Sequence, residues 1–171
     1  MILTPEQAQS LGQFLIPQIE QEATITRKIL VAIPAETCGY KPSERCMTAL
    51  TLAKHIVGAE MMFLNTAATG SFVPPDDAAL EPLKTPADVV AYWDAHVPPA
   101  IEKLKSLSPE HLAKPVEMFG FTMSNVTYLN FDIKHGVHHR GQLSAYLRPM
   151  GAKVPSIYGG SADEEFQAAA H

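Results

Sequence analysis

The chain has 171 residues, 46% of them hydrophobic, and a formal net charge of −5. That size suits one domain spanning 1–171 with a substantial core, and the acidic balance, without a cluster of Lys and Arg, argues against a nucleic-acid partner. No apolar run approaches the ~20 residues of a membrane span, and the N-terminus does not read as a leader, so the expectation is a cytoplasmic protein with no membrane partner.

Thr4-Pro5-Glu6-Gln7 combines a capping hydroxyl, a first-position proline and a glutamine three residues after the cap, which marks a helix start. Leu11, Phe14, Leu15, Ile19, Ile25, Ile29 and Ile33 continue it at mostly three- and four-residue steps, and Pro17 predicts a kink or a short separate N-terminal helix. Pro34 to Pro42 is turn-rich and includes Cys38. This cysteine lies eight positions before Cys46, a spacing that fits neither a redox pair nor a zinc knuckle, so both read as free thiols. Ser43 and Glu44 open a second periodic segment through Met47, Leu50, Val57 and Met61, with His55 at its middle. Ala67 to Pro86, rich in proline, glycine and aspartate, is read as a long connection without secondary structure.

Thr85-Pro86-Ala87-Asp88 starts a third helix that runs to about Leu107, with a kink expected at Pro98-Pro99. His96 falls beside Tyr92 and Trp93, where aromatic packing is the ordinary reading and a cavity wall the alternative. Lys114 to Thr122 reads as a short extended excursion. Ser124-Asn125 caps a last helix carrying Val126, Leu129, Ile133, Val137, Leu143 and Leu147, and Gly151 closes it. Four long amphipathic segments of this kind predict an all-α, four-helix bundle with a long connection between the second and third helices. A short alanine tail, Ala168 to Ala170, ends the chain.

The last helix holds the most informative spacing. His135 and His139 are four residues apart, about 40° around the axis, so both imidazoles lie on one face one turn apart. That is a chelating geometry, and His55 is the one well-placed histidine on another helix to complete it with coordination positions left open. His138 lies ~100° from His139 and does not share its direction. Asp132 and Gln142 continue the same stripe. Asp132 is read either as a solvated or capping carboxylate or as a catalytic group that orients an imidazole or accepts a proton from metal-bound water, and Gln142 as a hydrogen-bond partner of substrate or bound water. Arg140 and Glu60 are expected to pair and hold the second and fourth helices in register.

Three stretches carry a family resemblance: Leu52-Ala53-Lys54-His55-Ile56-Val57-Gly58-Ala59-Glu60, His135-Gly136-Val137-His138-His139-Arg140-Gly141-Gln142-Leu143, and the ending Leu147-Arg148-Pro149-Met150-Gly151 with Val154-Pro155-Ser156-Ile157-Tyr158-Gly159. Together with Tyr40-Lys41-Pro42, they make most of the chain resemble the DinB/YfiT-like family of metalloenzymes. The resemblance implies a four-helix bundle, often dimeric, that binds one divalent metal through His55, His135 and His139. It also implies transfer of a low-molecular-weight thiol to an electrophile, since characterised members include thiol transferases and a thiol-dependent isomerase. Zinc or nickel is the expected ion, with iron as an alternative, because imidazole suits all of them. The competing expectations are a metal-dependent hydrolase and a metal-binding stress-response protein without turnover.

Overall fold

The computed structural model describes residues 2–165; the alanine tail and His171 lie outside the described residues. Helix α1 (Pro5–Val31) begins with the expected capping box, Thr4 accepting from the Gln7 amide and Gln7 from the Thr4 amide. It runs unbroken through Pro17. That residue and Gln13, whose carbonyl loses its partner to the proline, are both exposed, so water can replace the lost bond. After a 3-10 turn at Ala35–Thr37, α2 spans Ala49–Thr69. Its start is five or six residues later than Ser43 and Glu44 suggested. Thr48, whose hydroxyl accepts from the Thr51 amide, is the cap, and Met47 stands outside the helix.

The connection read as structureless is partly ordered. α2 extends to Gly70, which closes it at φ 65°, and the single turn α3 (Asp77–Leu80) follows. α3 rests on α2 at Gly58, where an added Cβ would meet Leu80 Cδ1 at 2.6 Å. α4 covers Pro86–Leu104, carries Pro98 and Pro99 on its exposed side, and ends three residues before Leu107; α5 is the short Pro109–Ala113. The extended excursion is a hairpin of β1 (Pro115–Met118) and β2 (Phe121–Ser124), antiparallel with Val116 opposite Met123.

α6 spans Thr127–Leu147 and has no side-chain cap. Ser124 and Asn125 are engaged elsewhere. Ser124 Oγ accepts from the Leu3 amide at 2.8 Å and donates to the Ala113 carbonyl, while Asn125 Nδ2 donates to the Ala67 carbonyl at 2.8 Å. Both side chains are buried and tie neighbouring segments together, which takes Ser124 Oγ and Asn125 Nδ2 away from any cap on α6.

The four long helices form a four-helix bundle in which α1 packs on α4 and α6, and α2 packs on the same pair. α1 and α2, consecutive in the chain, therefore face each other diagonally. Ile19, Ile29, Leu52, Ile56, Trp93, Leu104, Leu129 and Leu143 fill the core. A smaller cluster of Ala59, Met62, Phe63, Val116, Met118 and Tyr128 seats the hairpin against α2 and α6. Tyr128 Oη fixes that seat, lying 2.7 Å from the Phe121 carbonyl and 3.0 Å from that of Val116. Among the described residues no helix is long and apolar enough to cross a membrane.

Candidate metal centre

Packing of α2 on α6 brings His55 to His135 and His139. His55 Nε2 lies 3.2 Å from both His139 Nε2 and His135 Nε2, and one ring nitrogen from each of the three falls within 4.8 Å of the others. Three nitrogens at ~2.0–2.1 Å around a tetrahedral ion would stand about 3.3 Å apart, so the donor set fits such an ion. Burial, and then the charge of His139, lowers the pKa of His55. Burial and the facing imidazoles bring His135 down to about 4. Both rings are therefore neutral at pH 7, the form in which imidazole offers a lone pair.

Gln142 is placed by its i+3 spacing to accept from His139: its Oε1 lies 2.8 Å from Nδ1. With the proton on Nδ1, the His139 lone pair is directed from Nε2 toward the other two rings. Sequence reasoning gave Gln142 a substrate or water contact; the structure gives it this contact with His139. His138 meets His139 edge-on at 4.7 Å between ring centroids but does not join the cluster. His96 stacks on Tyr92 at 4.0 Å on an exposed surface, away from the cavity that adjoins the histidines.

Asp132 does not join the histidines either. It is buried at 3% exposure, and loss of water together with the charge of Glu60 drives its pKa well above the usual carboxylate range. Burial pushes Glu60 up to about 8, outweighing the favourable charge of Arg140. A folded-state value above the ordinary 4.5 means that the contribution of Glu60 to stability is full below pH 4.5 and is lost as pH rises through about 8. Glu60→Gln is accordingly expected to flatten the stability profile between pH 5 and 9 and to stabilise the protein at pH 9 by roughly 2 kcal/mol. Urea unfolding at the two pH values checks this; equal effects at both would remove the charge from the account.

Arg140 corrects another expectation. Its ion-pair partner is Glu22 of α1, not Glu60, and it also donates to Thr26 Oγ1 at 2.8 Å and to the Tyr158 hydroxyl. It lies on the buried stripe of α6 with Gly136, Leu143 and Leu147, the face that packs on α1 as well as α2. The apolar stripe expected from the sequence ran instead through Val137, which is 38% exposed, and Glu22 and Tyr158 were missed because nothing local links them to Arg140.

A cavity of about 580 Å³ opens beside the histidines and touches His55 and His135. Phe63, whose ring centroid is 5.9 Å from that of His135, backs it, and Met62, Ala59, Leu80 and Met47 contribute apolar walls. Two imidazoles of the cluster lining an otherwise largely apolar cavity of this size have the layout of a small-molecule site.

The DinB family profile matches residues 9–168. The uncharacterized protein YrdA of Bacillus subtilis is 30% identical over 158 residues, 91% of this chain and 92% of that protein. Among solved structures, a DinB-like protein from Bacillus cereus superposes with a TM-score of 0.72 at 23% identity, covering 84% of this chain and 95% of that one. YfiT from Bacillus subtilis, described as a probable metal-dependent hydrolase with an unusual four-helix bundle topology, gives 0.63 at 15% identity, covering 88% and 91%. The sequence match over nearly the whole chain and the shared bundle place this chain in the DinB family.

Proposed function

We propose that this protein is a metal-dependent enzyme in which His55, His135 and His139 hold one divalent transition metal and a nucleophile attacks a small electrophile in the adjoining cavity. The convergence of three imidazoles, with His55 Nε2 lying 3.2 Å from a ring nitrogen of each of the other two, beside an apolar cavity carries this reading. Bound by three neutral ligands, a dipositive ion supplies the Lewis acidity that makes a thiol or water nucleophilic at neutral pH. Gln142 is the positioning residue, holding His139 in one tautomer, and the walls at Phe63 and Met62 exclude water.

Thiol transfer is the first choice of reaction. Among the described residues no carboxylate joins the three-histidine cluster as a base for attacking water, and Asp132 is buried outside it with its pKa raised well above the usual carboxylate range. A thiol that ionises readily needs no such base. Hydrolysis is the second reading, favoured by the likeness to YfiT. Zinc and nickel suit the all-imidazole donor set, and iron fits it less selectively.

Elemental analysis of protein purified without added metal or a histidine tag tests the centre. About one divalent ion per chain is expected in the wild type and none in a folded His135→Ala/His139→Ala variant. Gln142→Leu is expected to keep the site but bind the ion ~10–100-fold more weakly. Equal metal content in wild type and double variant would sink the proposal. Conjugation of low-molecular-weight thiols to electrophiles, set against ester and amide cleavage, then separates the two reactions.

A further inference from the structure

The hairpin beside the cavity turns through Phe119 and Gly120, at φ 53° and 79°. Two central residues with positive φ are the signature of a type I′ turn, for which Asn-Gly is the favoured pair. Phe119 is the one non-glycine residue with positive φ among those described. A bulky side chain is disfavoured there, since its Cβ crowds the following carbonyl. The fold offers no compensation: Phe119 is 67% exposed, belongs to neither hydrophobic cluster, and leaves the anchoring of the hairpin to Tyr128.

What the ring does contact is the cavity. Phe119 lines it together with His55, His135 and Phe63, and meets Phe72 edge-on with ring centroids 5.6 Å apart. Phe72, two residues after Gly70, is 40% exposed and does not itself line the cavity, so it backs the Phe119 ring. The charged side chains that reach the cavity, Lys54, Asp77 and Glu81, are of both signs and do not select a net charge. Its volume lies within the range of sites that enclose small ligands.

We propose that Phe119 is a specificity-determining residue, kept at an unfavourable backbone position so that its ring, backed by that of Phe72, binds the uncharged aromatic or branched-alkyl body of a small substrate. This rests on the reading of the three histidines as a catalytic metal centre, because it assigns that body to the electrophile. The wall itself is testable without metal or turnover.

The test is fluorescence titration of the full-length protein with N-phenyl-1-naphthylamine, an uncharged apolar probe. Wild type, Phe119→Asn and Phe131→Asn are compared, Phe131 being an exposed aromatic that does not line the cavity. Saturable binding is expected in the wild type, about tenfold weaker in Phe119→Asn and unchanged in Phe131→Asn. Because asparagine suits the turn, Phe119→Asn is also expected to melt at or above the wild-type temperature.

Unchanged probe affinity in Phe119→Asn would overturn the proposal, as would a lower melting temperature, which would make the ring a packing element. A wild-type dimer that dissociates in Phe119→Asn during sedimentation would overturn it too, assigning the aromatic pair to a face between two copies. If the metal analysis fails while the probe results hold, the cavity wall stands and only its link to a metal-dependent reaction falls.

Discussion

Replacing Arg140 with methionine is expected to destabilise the protein by about 3–5 kcal/mol, a large share of the stability of an ordinary domain. The guanidinium is 1% exposed and spends its donors on the Glu22 carboxylate, the Glu22 carbonyl at 3.1 Å, Thr26 Oγ1 and the Tyr158 hydroxyl. Its removal leaves the partly buried Glu22 carboxylate without its cation and takes away the charge that restrains the pKa of Glu60. The cost comes from those stranded groups more than from the lost attraction, and a second change identifies it: Arg140→Met/Glu22→Leu should recover a large part of the loss. Arg140→Lys should recover less, because an ammonium cannot reproduce the fork that reaches α1 and Tyr158 together. Urea unfolding measures all three; a loss below about 1 kcal/mol for Arg140→Met would show that the network adds little to the fold.

The same residue shows where the sequence was legible and where it was not. His135, His139 and Gln142 lie within eight positions of one helix, so helical periodicity alone predicts that they share a face. His55 enters through the packing of α2 on α6, which periodicity does not specify; the motif around it supplied the link. For Arg140 the sequence suggested a paired charge but not which acid meets it, since Glu22 lies on α1, more than a hundred residues away in the chain. The start of α2 was misplaced because Met47 extends the apolar stripe, while the Thr48 cap decides the boundary. Pro17 suggested a kink or a separate helix and Pro98-Pro99 a kink, and both helices are continuous through these prolines. Phe119 gave no turn signal, since Phe-Gly lacks the residue type that ordinarily adopts positive φ first.

Metal binding is expected to produce the second large effect, and its pH dependence follows from the histidines. If the three-histidine centre holds an ion, a free concentration a hundredfold above Kd adds about 2.7 kcal/mol to stability, or roughly 5–10 °C in melting temperature for a chain of this size. Protons compete for the same ring nitrogens. His135 sits near 4 when folded, against an ordinary 6.5, and His55 is lowered in the same direction. The unfolded chain therefore takes up protons first. Stability of the metal-free protein should be full above pH 6.5 and decline as pH falls from 6.5 toward 4. These lowered values keep the two rings available to metal below the pH at which exposed histidines let go, so the metal increment should persist at pH 6 and vanish by about pH 4. Melting curves with zinc or nickel, with chelator, and for His139→Ala test the account across pH 4 to 8. His139→Ala should lose the increment at every pH yet keep the decline set by His135 and His55; an increment surviving in that variant would place the ion elsewhere.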